Sequence, residues 1–411
     1  MRKLIKKVVS LLLILPIIFV TASADGEYQR MNIVTEYQSP DLMSDIEDDE
    51  AVLTASDGSL QLNAKSAILI ELNSGKVLFE KDADVKMPPA SITKIMTLLL
   101  VMEAIEAKKF DYNTEVTCSE HAASMGGSQI WLEVGEKMTV DELLRASAIG
   151  SANDATCLLG EFVSGSEEGF VSLMNEKAKA LSMTNTEFKN CSGLDADGHL
   201  TTARDIATMS RELLKHNDIT KYTTVWMDSL RDGKTELVNT NKLVRFYDGA
   251  TGLKTGTTSG AGCCLSASAT RDGLSLIAVV LGCDSSNNRF ADAKKLLNYG
   301  FSNYGNATVK IEQDELPELP VSKGTKTTLT LMSDDSVSFL VAKGKEGDIQ
   351  KKFDLPEQLT APIKPGETVG TIIFTLDGKT LGQIPVVASN GVEKMTYSKG
   401  LLRIISAIFL K

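Results

Sequence analysis

Apolar and polar positions change their period twice within the first hundred residues, and each change predicts an element. β-type runs at Ser66–Glu71 and residues 76–80 flank the turn-forming residues 72–75, which predicts a β-hairpin. Two prolines follow, and apolar residues then recur at helical spacing from residue 91 to about residue 107. This spacing predicts a buried helix that begins at Ser91.

The middle of the chain has helical spacing, and strand patterns return after it. Helical patterns occupy residues 140–163, 168–181 and 202–216. β-type runs occupy residues 264–269 and 274–281, and a further helix is predicted over residues 289–299. Because strands flank a helical lobe in the sequence, we expect one α+β domain over residues 61–305.

Strand patterns alone continue over residues 306–390, with prolines between them and a predicted hairpin at residues 371–387. This pattern predicts a separate small all-β domain.

A C-terminal amphipathic helix is predicted over residues 391–411. Six large apolar side chains fall on one of its faces, and Lys399, Arg403 and Ser406 fall on the other. Such a basic amphipathic helix is too short in apolar length to span a bilayer, and we expect it to lie on a membrane surface. The alternative is a terminal helix that docks on the protein's own core.

The N-terminus has the pattern of a secretory signal. Basic residues precede an apolar run at residues 8–20, and the small residues 22–24 follow at once, so residues 1–24 are predicted to be a cleaved signal peptide. An uncleaved signal anchor is the alternative, and either one places the protein at the outer face of the cytoplasmic membrane. Residues 25–60 are rich in acidic side chains and are expected to form a flexible leader.

Charge and cysteine content exclude several classes of function. The formal net charge is -11 and no basic patch is visible, so nucleic acid is not expected as a partner. Six cysteines in 411 residues are too few for a disulfide scaffold, and neither they nor the three histidines have metal-ligand spacing. Cys263 and Cys264 are neighbours on a predicted strand and should point to opposite faces. We expect no metal and no other cofactor.

The chemistry is indicated by three short motifs. Ser91 and Lys94 are three residues apart at the start of a predicted helix, so they share a face and Lys94 Nζ can reach the Ser91 hydroxyl as its base. A Ser-x-x-Lys motif alone is weak evidence for catalysis, because it occurs by chance in many helices. However, residues 151–153 (Ser-Ala-Asn) and 254–256 (Lys-Thr-Gly) follow in the order found in β-lactamases and penicillin-binding proteins. The three motifs together indicate a serine acyl-transfer enzyme.

Beyond these motifs, the segments 134–144, 190–194 with His199, and 295–301 give the chain a more specific resemblance. It resembles the low-molecular-mass penicillin-binding proteins, which are serine-type D-Ala-D-Ala carboxypeptidases. The resemblance implies a β-lactamase/transpeptidase-like domain, with an antiparallel sheet flanked by helices, followed by the small β domain. It also implies peptidoglycan stem peptides ending in D-Ala-D-Ala as substrates and β-lactams as covalent inhibitors.

The resemblance further implies a role for each motif residue. Ser91 attacks the carbonyl between the two D-alanines, Lys94 takes its proton, and Ser151 passes a proton to the leaving amine. Lys254 supports Ser151 and attracts the terminal carboxylate of the substrate.

Binding roles are expected for the remaining candidates. Asn153 is expected to hold the peptide amide, and the N–H groups of Ser91 and Thr257 to form an oxyanion hole. Thr255 and Arg289 are further candidates to bind the carboxylate. The residue after Lys-Thr-Gly is often aromatic or histidine in this family and is Thr257 here, which leaves the fine specificity open.

Three alternatives use the same motifs. A β-lactamase would need a deacylating glutamate, and Glu187 is one residue short of that spacing before Asn190, so we interpret it as part of a surface loop. An endopeptidase or transpeptidase would use the same acyl-enzyme with another scissile bond or acceptor. A non-catalytic wall-binding protein would not need the intact motif residues.

Overall fold

The structure is a computed structural model that describes residues 60–401. The predicted signal peptide, nearly all of the acidic leader, and the last ten residues of the predicted C-terminal helix lie outside the described residues. Nine α-helices are named within residues 60–401: α1 Lys94–Glu106, α2 Glu120–Ala123, α3 Val140–Ala148, α4 Asn153–Ser164, α5 Glu167–Ala180, α6 Ala203–Leu213, α7 Thr220–Thr223, α8 Leu243–Phe246 and α9 Ser286–Asn303.

Strands occur on both sides of these helices and throughout the C-terminal part. In the larger domain they are β1 Ser66–Glu71, β2 Val77–Lys81, β3 Glu115–Thr117, β4 Lys137–Thr139, β5 Met227–Leu230, β6 Thr235–Val238, β7 Ala250–Thr258, β8 Gly262–Arg271 and β9 Leu274–Cys283. From residue 304 onward they are β10 Tyr304–Lys310, β11 Leu319–Ser322, β12 Thr328–Leu329, β13 Leu331–Met332, β14 Ser336–Ala342, β15 Gln350–Asp354, β16 Leu359–Thr360, β17 Thr368–Leu376 and β18 Lys379–Ala388.

A five-stranded antiparallel sheet in the order β2-β1-β9-β8-β7 is the centre of the larger domain. Alternate residues of its strands point to opposite faces. Ile68 and Val279 enter one apolar cluster with helices α1, α3, α4 and α6, whereas Leu69 and Val280 enter a second cluster beneath α9. The sheet therefore lies between the helical lobe and α9, which confirms the predicted α+β class.

The predicted helix beginning at Ser91 differs in its first turn. Ala90–Thr93 form a 3-10 turn, and the α-helix proper begins at Lys94. Ala90, the first residue of this turn, has φ 49, which lies in the left-handed region and not in the region of right-handed helices. Ser91 is consequently placed on a tight turn in front of α1.

The smaller domain packs strands around an apolar core. A four-stranded sheet β13-β18-β17-β15, a three-stranded sheet β12-β11-β16 and the pair β10-β14 surround Phe374, Ile372 and Val386, which are fully buried. The hairpin predicted around residues 376–379 is formed by β17 and β18.

The smaller domain extends further than residue 390. Val392 is buried in its core and pairs with Ile363, and Met395 N–H donates to the Lys323 carbonyl. Residues 397–401 are helical, so the segment that we predicted as an amphipathic helix from residue 391 first completes the β domain and turns helical only at residue 397.

Candidate active site

The fold brings the three motifs together where α1, α4 and β7 meet. Ser91 is half-buried on the turn before α1, and Ser151 precedes α4 with φ 61. Like Ala90, Ser151 is a non-glycine residue in the left-handed region, a conformation that costs about 1–3 kcal/mol and is concentrated at functional sites. Backbone strain therefore occurs beside two of the three motifs.

Lys94 is the most enclosed charged group of the site. Its side chain is fully buried, and Nζ donates to Ser91 Oγ (2.9 Å), Asn153 Oδ1 (2.6 Å) and the Ser192 carbonyl (2.7 Å). Burial lowers the pKa of Lys94 to about 7. Because a neutral amine has two hydrogens for Asn153 and Ser192, its lone pair is left to accept the Ser91 proton.

Asn153 holds Lys94 from the first turn of α4. Besides accepting from Lys94, its amide donates through Nδ2 to the Gly126 carbonyl at 2.6 Å. We predicted that Asn153 contacts the peptide amide of the substrate, but in the structure both polar ends of its side chain bond within the protein. Its placement makes it a positioning residue for Lys94, and the contact with substrate stays a prediction.

Asp154, next to Asn153, was not predicted as a site residue. Its buried carboxylate accepts from the backbone N–H groups of Ile130, Leu132 and Ala155 at 2.9–3.2 Å. These bonds fix the loop before residue 132 to the start of α4. This loop contains Gly126, whose carbonyl accepts from Asn153. Asp154 therefore helps to position Asn153, and through it Lys94.

His199 supports the nucleophile turn from the opposite side. Lys189 N–H donates to His199 Nδ1 (3.2 Å), so the neutral ring carries its proton on Nε2, which contacts Thr93 Oγ1 at 2.9 Å. Thr93 Oγ1 in turn donates to the Ala90 carbonyl at 2.9 Å. Burial lowers the pKa of His199 to about 4, so the ring is neutral near pH 7.

Two glycines allow backbone segments to approach Ser91 closely. Gly193 has φ +91, and a Cβ atom there would lie 1.9 Å from the Ala90 carbonyl oxygen. A Cβ atom on Gly256 of β7 would lie 3.0 Å from Ser91 N. The end of β7 therefore lies against the Ser91 amide, as an oxyanion hole built from Ser91 and Thr257 requires.

The Lys-Thr-Gly residues lie on β7 with Lys254 and Thr255 buried. Lys254 Nζ donates to the Thr255 carbonyl at 3.1 Å, and Thr255 Oγ1 contacts Thr240 Oγ1 at 2.7 Å. Burial and the nearby Lys94 and Arg289 charges hold the pKa of Lys254 well below its usual range. A carboxylate that arrives beside Lys254 would favour the protonated form of its amine.

Arg289 reaches the same strand from the first turns of α9. Its Nη1 donates to Thr257 Oγ1 (2.8 Å) and to the Gly256 carbonyl (3.2 Å). Thr257 is exposed at this end of β7. The structure thus brings Arg289 to the residue after Lys-Thr-Gly, although 32 positions separate the two in the sequence.

The hydroxyl of Ser151 differs from its neighbours because, within residues 60–401, it makes no hydrogen bond, although the residue is buried. A cavity of about 430 Å³ adjoins the nucleophile turn, between Pro88–Ala90 and the loop of Gly193 to Leu200. Asp195 of that loop accepts from Thr258 Oγ1 at 2.6 Å, which ties the loop to the end of β7. The site can thus perform nucleophilic attack by Ser91, proton transfer through Lys94 and anion binding at β7.

Comparisons with known proteins agree with this geometry. Residues 51–285 match the family described as D-alanyl-D-alanine carboxypeptidase, and residues 306–394 match the family described as penicillin-binding protein 5, C-terminal domain. The D-alanyl-D-alanine carboxypeptidase DacF of Bacillus subtilis is 44% identical over 344 residues, which is 83% of this chain and 88% of that protein.

Solved structures lead to the same family. Penicillin-binding protein 5 from Haemophilus influenzae is 29% identical, with a TM-score of 0.71 over 82% of this chain and 100% of that chain. Penicillin-binding protein D2 from Listeria monocytogenes, in its ampicillin-bound form, is 32% identical, with a TM-score of 0.55 over 59% of this chain and 100% of that chain. The predicted resemblance and enzyme class are confirmed, and the chain belongs to the serine-type D-alanyl-D-alanine carboxypeptidase family.

Proposed function

We propose that the protein removes the terminal D-alanine from peptidoglycan stem peptides through an acyl-enzyme on Ser91. The observation that carries this proposal is the 2.9 Å contact between Ser91 Oγ and the fully buried Lys94 Nζ, whose pKa of about 7 makes it a base near neutral pH. Family membership supports the substrate class.

Acylation begins when Ser91 Oγ bonds to the carbonyl carbon of the penultimate D-alanine while Lys94 takes the hydroxyl proton. The negative charge on the former carbonyl oxygen is stabilised by the Ser91 and Thr257 N–H groups. The carbon–nitrogen bond then breaks, and the leaving amine receives a proton through Ser151, whose hydroxyl has no partner within the described residues. Water hydrolyses the resulting ester and restores Ser91.

Recognition of the free carboxylate is assigned to the cationic end of β7. Lys254 is buried beside Thr255 and Arg289 contacts Thr257, so β7 carries two basic side chains that suit the terminal carboxylate. A carboxylate between them offsets the cost of burying Lys254 as a cation.

β-Lactams are proposed to acylate the same serine, because they present a reactive carbonyl and a carboxylate to the same groups. The ampicillin-bound relative from Listeria monocytogenes supports this. A dedicated β-lactamase is not favoured, since Glu187 is exposed and pairs with Lys189 as a surface residue.

The experiment that tests the proposal incubates protein lacking the signal peptide and residues 397–411 with a pentapeptide ending in D-Ala-D-Ala. We expect the wild type to release D-alanine, and Ser91→Ala to release none and to bind no fluorescent penicillin. Stable penicillin labelling of the wild type without release of D-alanine would refute the carboxypeptidase activity and leave the nucleophile intact.

We also propose that the protein acts at the outer face of the cytoplasmic membrane, exported by residues 1–24 and attached by its C-terminal helix. No helix within residues 60–401 is long and apolar enough to cross a bilayer. Tyr397 and Leu401 are one helical turn apart, and the two residues are fully and 61% exposed respectively. An apolar face of this kind suits the headgroup region of a membrane.

Attachment is tested by deleting residues 397–411, which spares Val392 in the core of the β domain. The deletion should move the protein from the membrane fraction to the soluble fraction. The exposed Met332→Asp in the β domain serves as a control that should stay membrane-bound. Unchanged partitioning of the deletion variant would refute the attachment.

A further inference from the structure

Five side chains of types that ligate metal ions converge next to the backbone that holds Lys94. His121 comes from α2, Cys157 and Glu161 from α4, Glu167 from the start of α5, and Cys191 from the loop before Ser192. The ligand atoms of His121, Cys157 and Glu161 all lie within 4.8 Å of one another, and so do those of Cys157, Glu167 and Cys191. Cys157 is common to both groups.

The cluster is closed on one side and open on the other. Both thiols are fully buried, whereas 13% of the Glu167 side chain and 49% of the His121 side chain are exposed. His121 Nε2 and Glu167 Oε2 are 2.7 Å apart. An ion could therefore enter from solvent past the imidazole and reach the sulfur atoms beneath it.

We propose that Cys157, Cys191, His121 and Glu167 bind one Zn²⁺ ion. Cysteine sulfur, imidazole nitrogen and carboxylate oxygen are all ligands of Zn²⁺ in proteins, and four of them complete a tetrahedral site. Bond lengths of about 2.0–2.3 Å place tetrahedral ligand atoms about 3.3–3.8 Å apart, so the ligand atoms must move closer together when the ion binds. Binding displaces the protons of both thiols.

Hydrogen bonds already orient the acidic members of the cluster. Cys191 N–H donates to Glu167 Oε1 at 3.0 Å, which leaves Oε2 to face the cluster. Ser119 Oγ donates to Glu161 Oε2 at 2.6 Å and also accepts from Ala122 N–H as the cap of α2. Support of this kind around ligands is typical of metal sites. Because Glu161 is held by Ser119, it is assigned as a supporting neighbour and not as the fourth ligand.

The proposed ion would act on the active site through the backbone of residues 191 and 192. The Cys191 carbonyl accepts from Thr97 Oγ1 and the Ser192 carbonyl from Lys94 Nζ, each at 2.7 Å. A metal bond to Cys191 would tie this segment to α4 and α5. We therefore assign the ion a structural role: it steadies the acceptors of Lys94 and takes no part in the bond changes.

The spacing of these residues in the sequence predicts no metal site, and our proposal departs from that expectation. The four ligands span residues 121–191 without any short Cys/His motif. Only the packing of α2, α4, α5 and the loop that contains Cys191 brings them together.

The test uses the full chain, purified in detergent with a non-thiol reductant and stripped with a chelator. Zinc bound per chain is measured by elemental analysis after dialysis, and affinity by competition with a zinc indicator dye. We expect one zinc per chain. Co²⁺ in its place should give the sulfur-to-cobalt charge-transfer bands of a thiolate site, and Mg²⁺ should not compete.

Variants distinguish the cluster from other zinc-binding groups. Cys157→Ser and His121→Gln should weaken zinc binding by more than about 100-fold, which is the upper end of the loss caused by removing a supporting hydrogen bond. His121 is half-exposed, so its variant should fold even if the cysteine variant does not, and its zinc affinity then tests the cluster. Cys283→Ser removes a buried thiol of β9 and should keep the wild-type affinity.

Two outcomes would overturn the proposal. One is zinc affinity that is the same in the wild type and in both cluster variants. The other is a Cys157–Cys191 disulfide, found as one cross-linked peptide when the exported protein is alkylated and digested without reduction.

Discussion

The two domains bury different kinds of side chain. Every buried polar or charged residue among the described residues lies between Ser66 and Asp292, whereas the buried residues of the β domain from residue 304 to residue 401 are all apolar. Burying a charge costs free energy unless it is paired or hydrogen-bonded. The larger domain bears this cost at Lys94, Lys254 and Arg289, and its neighbouring polar groups are arranged to offset it.

This difference assigns the catalytic groups to the larger domain and leaves the β domain a purely apolar core. A core such as that around Phe374 stabilises the β domain through apolar burial alone and contains no group that could exchange a proton. The larger domain contains a lysine, Lys94, whose pKa is lowered to about 7 because burial disfavours its charged form. Substitutions in the two domains should therefore affect different quantities.

The largest effect on activity is expected from Lys94→Met, which keeps the length of the side chain and removes the amine. The rate constant for acylation by a fluorescent penicillin should fall about 10³-fold, since general-base catalysis contributes that much. The exposed Lys326→Met in the β domain is the matched control and should not change it. A decrease of less than about tenfold in the acylation rate constant would show that Lys94 is not the base.

In the β domain, Phe374→Ala should reduce the free energy of unfolding by about 3 kcal/mol because it leaves a cavity in the core. Acylation of Ser91 should remain within about twofold of the wild-type rate, since the two sites share no partner. Denaturant unfolding and penicillin labelling measure the two quantities. Parallel loss of both would show that the domains are energetically coupled.

Gly193→Ala should lower the free energy of unfolding of the larger domain. The loss should be about 2 kcal/mol greater than the loss that Gly366→Ala causes in the β domain. Both glycines have positive φ, but a Cβ atom at Gly193 meets the Ala90 carbonyl whereas one at Gly366 meets nothing within 4 Å. Thermal unfolding of the two variants measures both losses, and their difference gives the cost of the clash with Ala90. Equal losses would mean that the loop of Gly193 does not press on the nucleophile turn.

His199 should make the larger domain sensitive to acid. Its pKa of about 4 in the folded state lies below the unfolded value, so the unfolded chain binds the proton more readily and stability is lost as pH falls. Between about pH 7.5 and pH 5 this contribution should decrease by about 2 kcal/mol. His199→Gln should show a shallower decrease over that range, and an identical decrease in both proteins would contradict the assignment.

Local patterns in the sequence predict the nucleophile and its base. Ser91 and Lys94 are three residues apart, so their contact follows from helical geometry, and the hairpin of β1 and β2 follows from period and turn residues. The partners of Lys94 do not follow in this way. Asn153 and Ser192 come from segments 59 and 98 residues away, and only the packed fold brings them to Nζ.

The unusual backbone conformations of the site could not be predicted from the sequence either. Ala90 and Ser151 adopt left-handed backbone angles although neither is glycine, the residue that usually signals such a position. The segment of residues 190–194 and His199 was identified only through its family resemblance. Its physical role emerges from the contact of His199 with Thr93.

The measurement that tests the central claim most directly is the pH dependence of the acylation rate of Ser91 by a penicillin. Because Lys94 must be neutral to accept the proton, the rate constant should rise about tenfold per pH unit below about pH 7 and level off above it. Lys94→Met should show a low rate without this inflection. A wild-type rate that stays constant between about pH 5 and pH 9 would contradict the assignment of Lys94 as the base.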